Sequence, residues 1–243
     1  MTTAIGQARL HHLMLHSEAP DDLVVFYGDV MKMDFARKDG ILTGYGNERC
    51  IMISEGPNRN LGFGAFTYST AAELRALHHR LQQAGVPLHE SPCPVLPDGF
   101  SIADPDGNQL VFGVAPRYRG AVPDSPTARL QHLVVATDDM QPMVDFYTDT
   151  LGFVISDRVV DEEDDLRACF VHSDDEHHSF AFFKSVLNVN VVQIPENYIH
   201  LSNIQFLFVI NPGCIIPAQI DALQPENIFQ PARRDMGFHY RTQ

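Results

Sequence analysis

The chain repeats itself. Residues Arg9-Leu10-His11-His12-Leu13 open one half, and Arg129-Leu130-Gln131-His132-Leu133 open the other. With His12 set against His132, Phe26-Tyr27 falls on Phe146-Tyr147, Asp29 on Asp149 and Met31 on Leu151. Self-similarity at this scale restricts a fold more tightly than local propensity does, because each copy must be a supersecondary unit that buries its apolar face against another. In each copy a short apolar run carries a histidine, an acidic stretch opens a helix, and Phe-Tyr is expected on that helix's buried face.

Residues 9–15 predict a strand, Ser17 to Asp22 a turn and helix cap, and Leu23, Phe26, Tyr27 and Val30 follow at helical spacing. From Gly40 to Ile53 the pattern changes to the alternation of a hairpin. A second unit begins near Leu61 with a strand over Gly62 to Tyr68. Ser69 or Thr70 then caps a helix with apolar face Leu74, Leu77 and Leu81, stopped at Gly85. Pro97-Asp98-Gly99 and Asp104-Pro105-Asp106-Gly107-Asn108 are turns, and Gln109 to Val114 closes the unit. The proline-bearing stretch 115–127 reads as a linker. A third unit runs from Arg129 to about Lys184. It holds a strand with His132, a helix with Phe146-Tyr147, and strands at Val154 to Val160, Ala168 to His172 and Ser179 to Phe183.

A fourth unit is due next, and the pattern breaks. From Val186 onward there is no Asp-Pro-Asp-Gly-Asn turn and no helix like Ala71 to Ala84. Ile199 to Ile210 reads as a strand, and Pro212 to Gln243 as irregular chain in which His239-Tyr240 is frayed. The division expected is therefore 1–114 for a first domain of two units, 115–127 for the linker, and 128–243 for a second domain whose tail, 186–243, diverges.

Composition bounds the function. A net charge of −14 supplies no basic stripe for phosphates, so nucleic acid is excluded as a partner and anionic membranes are disfavoured. No apolar run is long enough to span a bilayer, and the first residues lack a signal-peptide pattern, so a cytoplasmic protein is expected. The run Asp161 to Asp165 lacks the ligand spacing and mid-loop glycine of a calcium loop and reads as a hairpin tip. Cys50, Cys93, Cys169 and Cys214 contain no Cys-x-x-Cys pair. They read as reduced, buried thiols, which argues against a zinc–cysteine site.

The Arg-Leu-x-His-Leu openings, the Phe-Tyr-x-Asp-x-Leu-Gly-Phe corner at 146–153, the Asp104 to Asn108 turn and His177-His178-Ser179-Phe180-Ala181-Phe182 come in a telling order. Together they resemble the vicinal oxygen chelate (glyoxalase, bleomycin resistance, dioxygenase) superfamily, and within it the two-domain type I extradiol ring-cleaving dioxygenases. The resemblance covers residues 8 to about 185. It implies an α+β fold of tandem βαβββ modules forming two cup-shaped half-barrels, the fourth module divergent or incomplete. It also implies Fe(II), or another divalent metal, held by two histidines and a carboxylate with open positions for a catechol-type aromatic diol and O2.

By that resemblance His132 corresponds to the first iron ligand and His178 to the acid/base histidine, which exchanges a proton with the diol. His177 is expected to point to the opposite face of the same strand. The second histidine and the carboxylate have no match. His200 is the one substitute for the former, while Glu196, Asp221 and Glu226 lack supporting context. In the first domain His12 matches His132, but the carboxylate position falls on Val111, so that cup is expected to be vestigial. Phe180 and Phe182 are expected to line the substrate cup.

Each histidine also has a bland reading: a core imidazole for His132, a strand histidine for His178, a structural residue for His200. The pairs His11-His12 and His78-His79 are read as structural, since neighbours on a strand point oppositely and neighbours on a helix diverge. The competing function is a catalytically dead or small-molecule-binding relative, with a glyoxalase-like or bleomycin-binding role more distant. An incomplete second domain also implies a homo-oligomer, through exposed apolar surface.

Overall fold

A computed structural model of the chain describes residues 7–31, 33–45, 49–57, 60–116, 129–185, 205–211, 214–216 and 239–242. The first unit is β1 (Arg9–Ser17), α1 (Pro20–Met31), β2 (Asp34–Lys38), β3 (Ile41–Tyr45) and β4 (Cys50–Glu55). The second is β5 (Asn60–Tyr68), α2 (Ala71–Gln83), β6 (His89–Glu90), β7 (Phe100–Ala103) and β8 (Gln109–Val114). They share one eight-stranded sheet in the order β2-β3-β4-β1-β5-β8-β7-β6. The third unit is β9 (Arg129–Thr137), α3 (Met140–Asp145) running into a π-helical turn (Phe146–Thr150), β10 (Val154–Val160), β11 (Leu166–His172) and β12 (Phe180–Lys184). Among the described residues, it forms with β13 (Gln205–Asn211), β14 (Cys214–Ile216) and β15 (His239–Thr242) a seven-stranded sheet, β14-β13-β9-β12-β11-β10-β15. The order β10-β11-β12-β9 repeats β2-β3-β4-β1, so the duplication read in the sequence is a duplication of βαβββ units in an α+β fold.

The local chemistry explains the elements. Thr70 caps α2 in a full capping box: its hydroxyl accepts from the Glu73 N–H, and the Glu73 carboxylate accepts from the Thr70 N–H. Leu74, Leu77 and Leu81 are buried, and Gly85 ends the helix at φ +73°. In the third unit the Leu151 N–H reaches the Phe146 carbonyl at 2.9 Å, an i→i+5 bond that widens the last helical turn. Tyr147 is thereby fully buried, and its hydroxyl donates to Asp104 Oδ2 at 3.1 Å. Asp104 Oδ1 also accepts the Asp106 and Asn108 N–H groups, so the turn of the second unit serves as a dock for the third. Only the tyrosine of each Phe-Tyr pair is deeply buried. Phe26 and Phe146 are half-buried, a narrower apolar face than the pattern implied.

Alternation along the strands separates two faces. The helix-side core is one continuous cluster that includes Leu13, Phe66, Phe112, Leu133, Tyr147, Phe180 and Phe182 and joins both sheets. Burial of each such side chain stabilises the fold by about 1.5–3 kcal/mol. Gly64 meets it closely: a Cβ there would come within 2.7 Å of Leu133 Cδ2. The concave face of the first sheet carries its own cluster, Met14, Cys50, Met52, Phe63, Ala65, Cys93, Leu96 and Val111.

The third unit departs from the first at its flank. β5 runs antiparallel to β1, whereas β13 runs parallel to β9. Of the strand expected over Ile199 to Ile210, the described part is β13, Gln205–Asn211, and Ile199 lies outside the described residues. His239-Tyr240, expected to be frayed, belongs to β15, which pairs antiparallel with β10. No helix among the described residues is long and apolar enough to cross a membrane.

Candidate functional site

On β9, Leu133 and Val135 face the helices, so His132 faces the concave side. His132 Nδ1 is sealed from solvent and meets no hydrogen-bond partner among the described residues. A buried polar atom left bare costs about 1–3 kcal/mol, which makes this nitrogen the most informative atom of the site. Its ring lies 4.7 Å from that of His178, centroid to centroid, and Phe170 contacts His178 edge-on at 5.0 Å. Burial pushes the His132 pKa down to about 3, helped by His178 and Arg49, and the His178 pKa down to about 4, helped by His177. Both imidazoles are therefore neutral at pH 7.

His177 does not point away. His177 and His178 precede β12 rather than lying on it, so strand alternation does not apply. Their Nδ1 atoms are 2.9 Å apart, and His177 Nε2 lies 3.2 Å from Asp157 Oδ2. Asp157, His177 and His178 each bring a ligand atom within 4.8 Å of the others. Asp157 was not legible in the sequence, because only the β10–β11–β12 pairing brings it near. Phe180 and Phe182 do not line the cup. They are fully buried and stack on Tyr147 at 4.4 and 5.6 Å, on the helix side. Among the described residues, Phe170 and Phe183 are on the concave side, in edge contact at 5.6 Å.

His200, Glu196, Asp221 and Glu226 lie outside the described residues. Opposite His132 the parallel β13 places Leu207, and on the other side Ser179 gives its carbonyl to the Leu133 N–H at 3.1 Å. Two histidines and a carboxylate do meet, at Asp157, His177 and His178, but His132 is not one of them, so the described residues do not assemble the expected iron triad around His132.

The equivalent row in the first sheet reads Cys50, His12, Ala65, Val111 across β4, β1, β5 and β8. Val111 is fully buried in the apolar cluster. Around His12, however, the alternation argument fails. A register shift between Leu10 and His12 marks a bulge at His11, and bulges re-aim side chains. His11 Nδ1 therefore reaches His12 Nδ1 at 2.8 Å, and His12 Nε2 lies 2.9 Å from Cys93 Sγ. Arg49, buried and ion-paired to Glu176 of the third unit, sits between the two histidine groups. Cys50, Cys93 and Cys169 are free, buried thiols, and Asp161 to Asp165 is a hairpin tip folded around the Asp161 carboxylate. His78 packs edge-on against Phe100, as a structural residue does.

Residues 9–112 and 129–192 match the Glyoxalase/Bleomycin resistance protein/Dioxygenase superfamily, and the chain belongs to it. It is 29% identical over 195 residues to Metapyrocatechase 2 of Cupriavidus necator, covering 69% of this chain and 59% of that one. It is 29% identical over 156 residues to an iron-dependent extradiol dioxygenase of Rhodococcus jostii, covering 54% and 51%. The chain thus spans little more than half the length of these curated relatives. Among solved structures, a catechol 2,3-dioxygenase superposes with TM-score 0.63 at 20% identity, over 73% of this chain and 66% of that one. Homoprotocatechuate 2,3-dioxygenase from Brevibacterium fuscum superposes with TM-score 0.64 at 17% identity, over 76% and 63%. These likenesses show the fold.

Proposed function

We propose that this chain is an extradiol-type dioxygenase whose substrate is a catechol-type aromatic diol, with O2 as co-substrate. His132 is its first metal position and His178 its acid/base. The observation that carries the reading is the bare, buried Nδ1 of His132 beside a neutral His178. A neutral imidazole with a lowered pKa can take a proton from a diol hydroxyl at pH 7 and return it later. Phe170 and Phe183 offer edges to an aromatic ring on the same concave side. The described residues do not complete an iron triad around His132, and His200, outside them, is the candidate for the second histidine ligand.

The second reading is a relative that binds a small molecule without turning it over. The parallel pairing of β13 with β9, where the first unit has an antiparallel strand, favours it. Oxygen uptake with a panel of catechols, after anaerobic loading with Fe(II), separates the two. The dioxygenase reading expects uptake that falls at least 100-fold in His178→Gln, on the scale of acid–base catalysis. Absence of uptake with every diol selects the binding-only relative.

A further inference from the structure

We propose that the buried corner formed by His11, His12 and Cys50, backed by Cys93, binds a thiophilic divalent ion of the zinc class. This site lies in the first sheet, in the cup whose dioxygenase ligands are replaced by Ala65 and Val111. His12 and Cys50 face each other directly across β1 and β4, and the bulge at His11 turns a third donor into the same corner. One ligand atom from each of His11, His12 and Cys50 lies within 4.8 Å of the other two, and all three residues are buried.

The donor set suits the ion. Two imidazoles and a thiolate are borderline-soft ligands that favour zinc over magnesium or calcium. A tetrahedral zinc about 2.0 Å from each nitrogen holds them roughly 3.3 Å apart. The two Nδ1 atoms, now 2.8 Å apart, need separate by only about half an ångström. Cys93 supplies what a metal-bound histidine needs behind it: with Nδ1 on the ion, His12 carries its proton on Nε2 and donates it to Cys93 Sγ, 2.9 Å away. The surrounding Met14, Met52, Phe63 and Val111 exclude water.

Proton balance makes the site testable. Without the ion, each imidazole carries one proton and Cys50 keeps its own, burial pushing the thiol up to about 12. On binding, both imidazoles retain one proton at Nε2, the Cys50 sulfur becomes a thiolate, and one proton leaves for solvent per ion.

The probe is Co(II), titrated into the whole chain and then displaced by Zn(II). The expected result is a 1:1 near-ultraviolet thiolate-to-cobalt band, one proton released per ion, and reversal by zinc. The band should be lost in Cys50→Ser and in His11→Ala, and kept in His132→Ala, which separates this corner from the proposed dioxygenase position. Should either variant fail to fold, X-ray absorption on the wild-type zinc form decides: one sulfur and two imidazoles are expected around the metal. Absence of the band in the wild type, its persistence in Cys50→Ser, its loss in a folded His132→Ala, or a shell without sulfur overturns the proposal.

Discussion

The two cups start from the same Arg-Leu-x-His-Leu strand and end in different states. In the first, the concave face is packed: Met14, Met52, Phe63, Leu96 and Val111 close over it, and His12 has a partner on each ring nitrogen. In the third unit the concave face holds His132, whose Nδ1 meets no partner among the described residues, flanked by half-buried His178 and Phe183. The difference lies in the flanking strand. Antiparallel β5 brings Phe63 and Ala65 over the first cup, and β8 follows with Val111. Beside β9, β13 runs the other way. Among the described residues, the row through His12 is packed, and the row through His132 leaves one imidazole nitrogen without a partner.

The bond between the halves is the largest lever on that comparison. Arg49→Ala leaves Glu176, largely buried, without its partner guanidinium, and loss of about 3–5 kcal/mol is expected in urea unfolding. A change within about 0.5 kcal/mol would show that the two cups do not depend on this pair. Next comes packing. Phe63→Ala should cost about 3–5 kcal/mol because it empties a sealed cluster. Phe183→Ala, on the more open face, should cost roughly 1–2 kcal/mol. Equal losses would erase the distinction between a packed and an available cup.

Acid sensitivity follows from the histidines. Burial lowers the pKa of His11 to about 4 and of His12 to about 3, against 6.5 for a free imidazole. Between those values the unfolded chain binds more protons than the folded one, so stability is at full strength above pH 6.5 and falls as the pH drops toward 3–4. Each histidine held neutral contributes a slope of about 1.4 kcal/mol per pH unit in that window. His12→Gln should flatten the slope measured by unfolding between pH 6.5 and 4.5, and an unchanged slope would contradict the burial of that ring. The smallest effect is local: Thr70→Ala removes the capping box of α2 at a cost of about 1 kcal/mol, detectable as a shift in Tm.

Much of the fold was legible because it is written in local chemistry. The capping residue Thr70, the leucine face of α2, the stop at Gly85 and the β10 to β12 strands all stand where periodicity and turn residues place them. What was misread depended on departures from ideal geometry. A one-residue bulge at His11 overrode alternation and joined His11 to His12. The start of β12 at Phe180 left His177 and His178 in a loop, where both rings are free to meet. Phe180 and Phe182 turned toward Tyr147 because alternation fixed by Ala181 gave them the helix side. Partners remote in sequence, Asp157 for His177 and Glu176 for Arg49, carry no local signal at all. The place of His132 on the opening strand of its unit was legible from the repeat.

The most direct test of the account is anaerobic calorimetric titration of Fe(II) into the wild-type chain and His132→Ala, after the cobalt-binding corner has been filled with Zn(II). The account predicts one Fe(II) bound per wild-type chain and none in the folded variant. Binding that is indifferent to His132, or absent from both proteins, would contradict the claim that the second cup kept the working position the first one gave up.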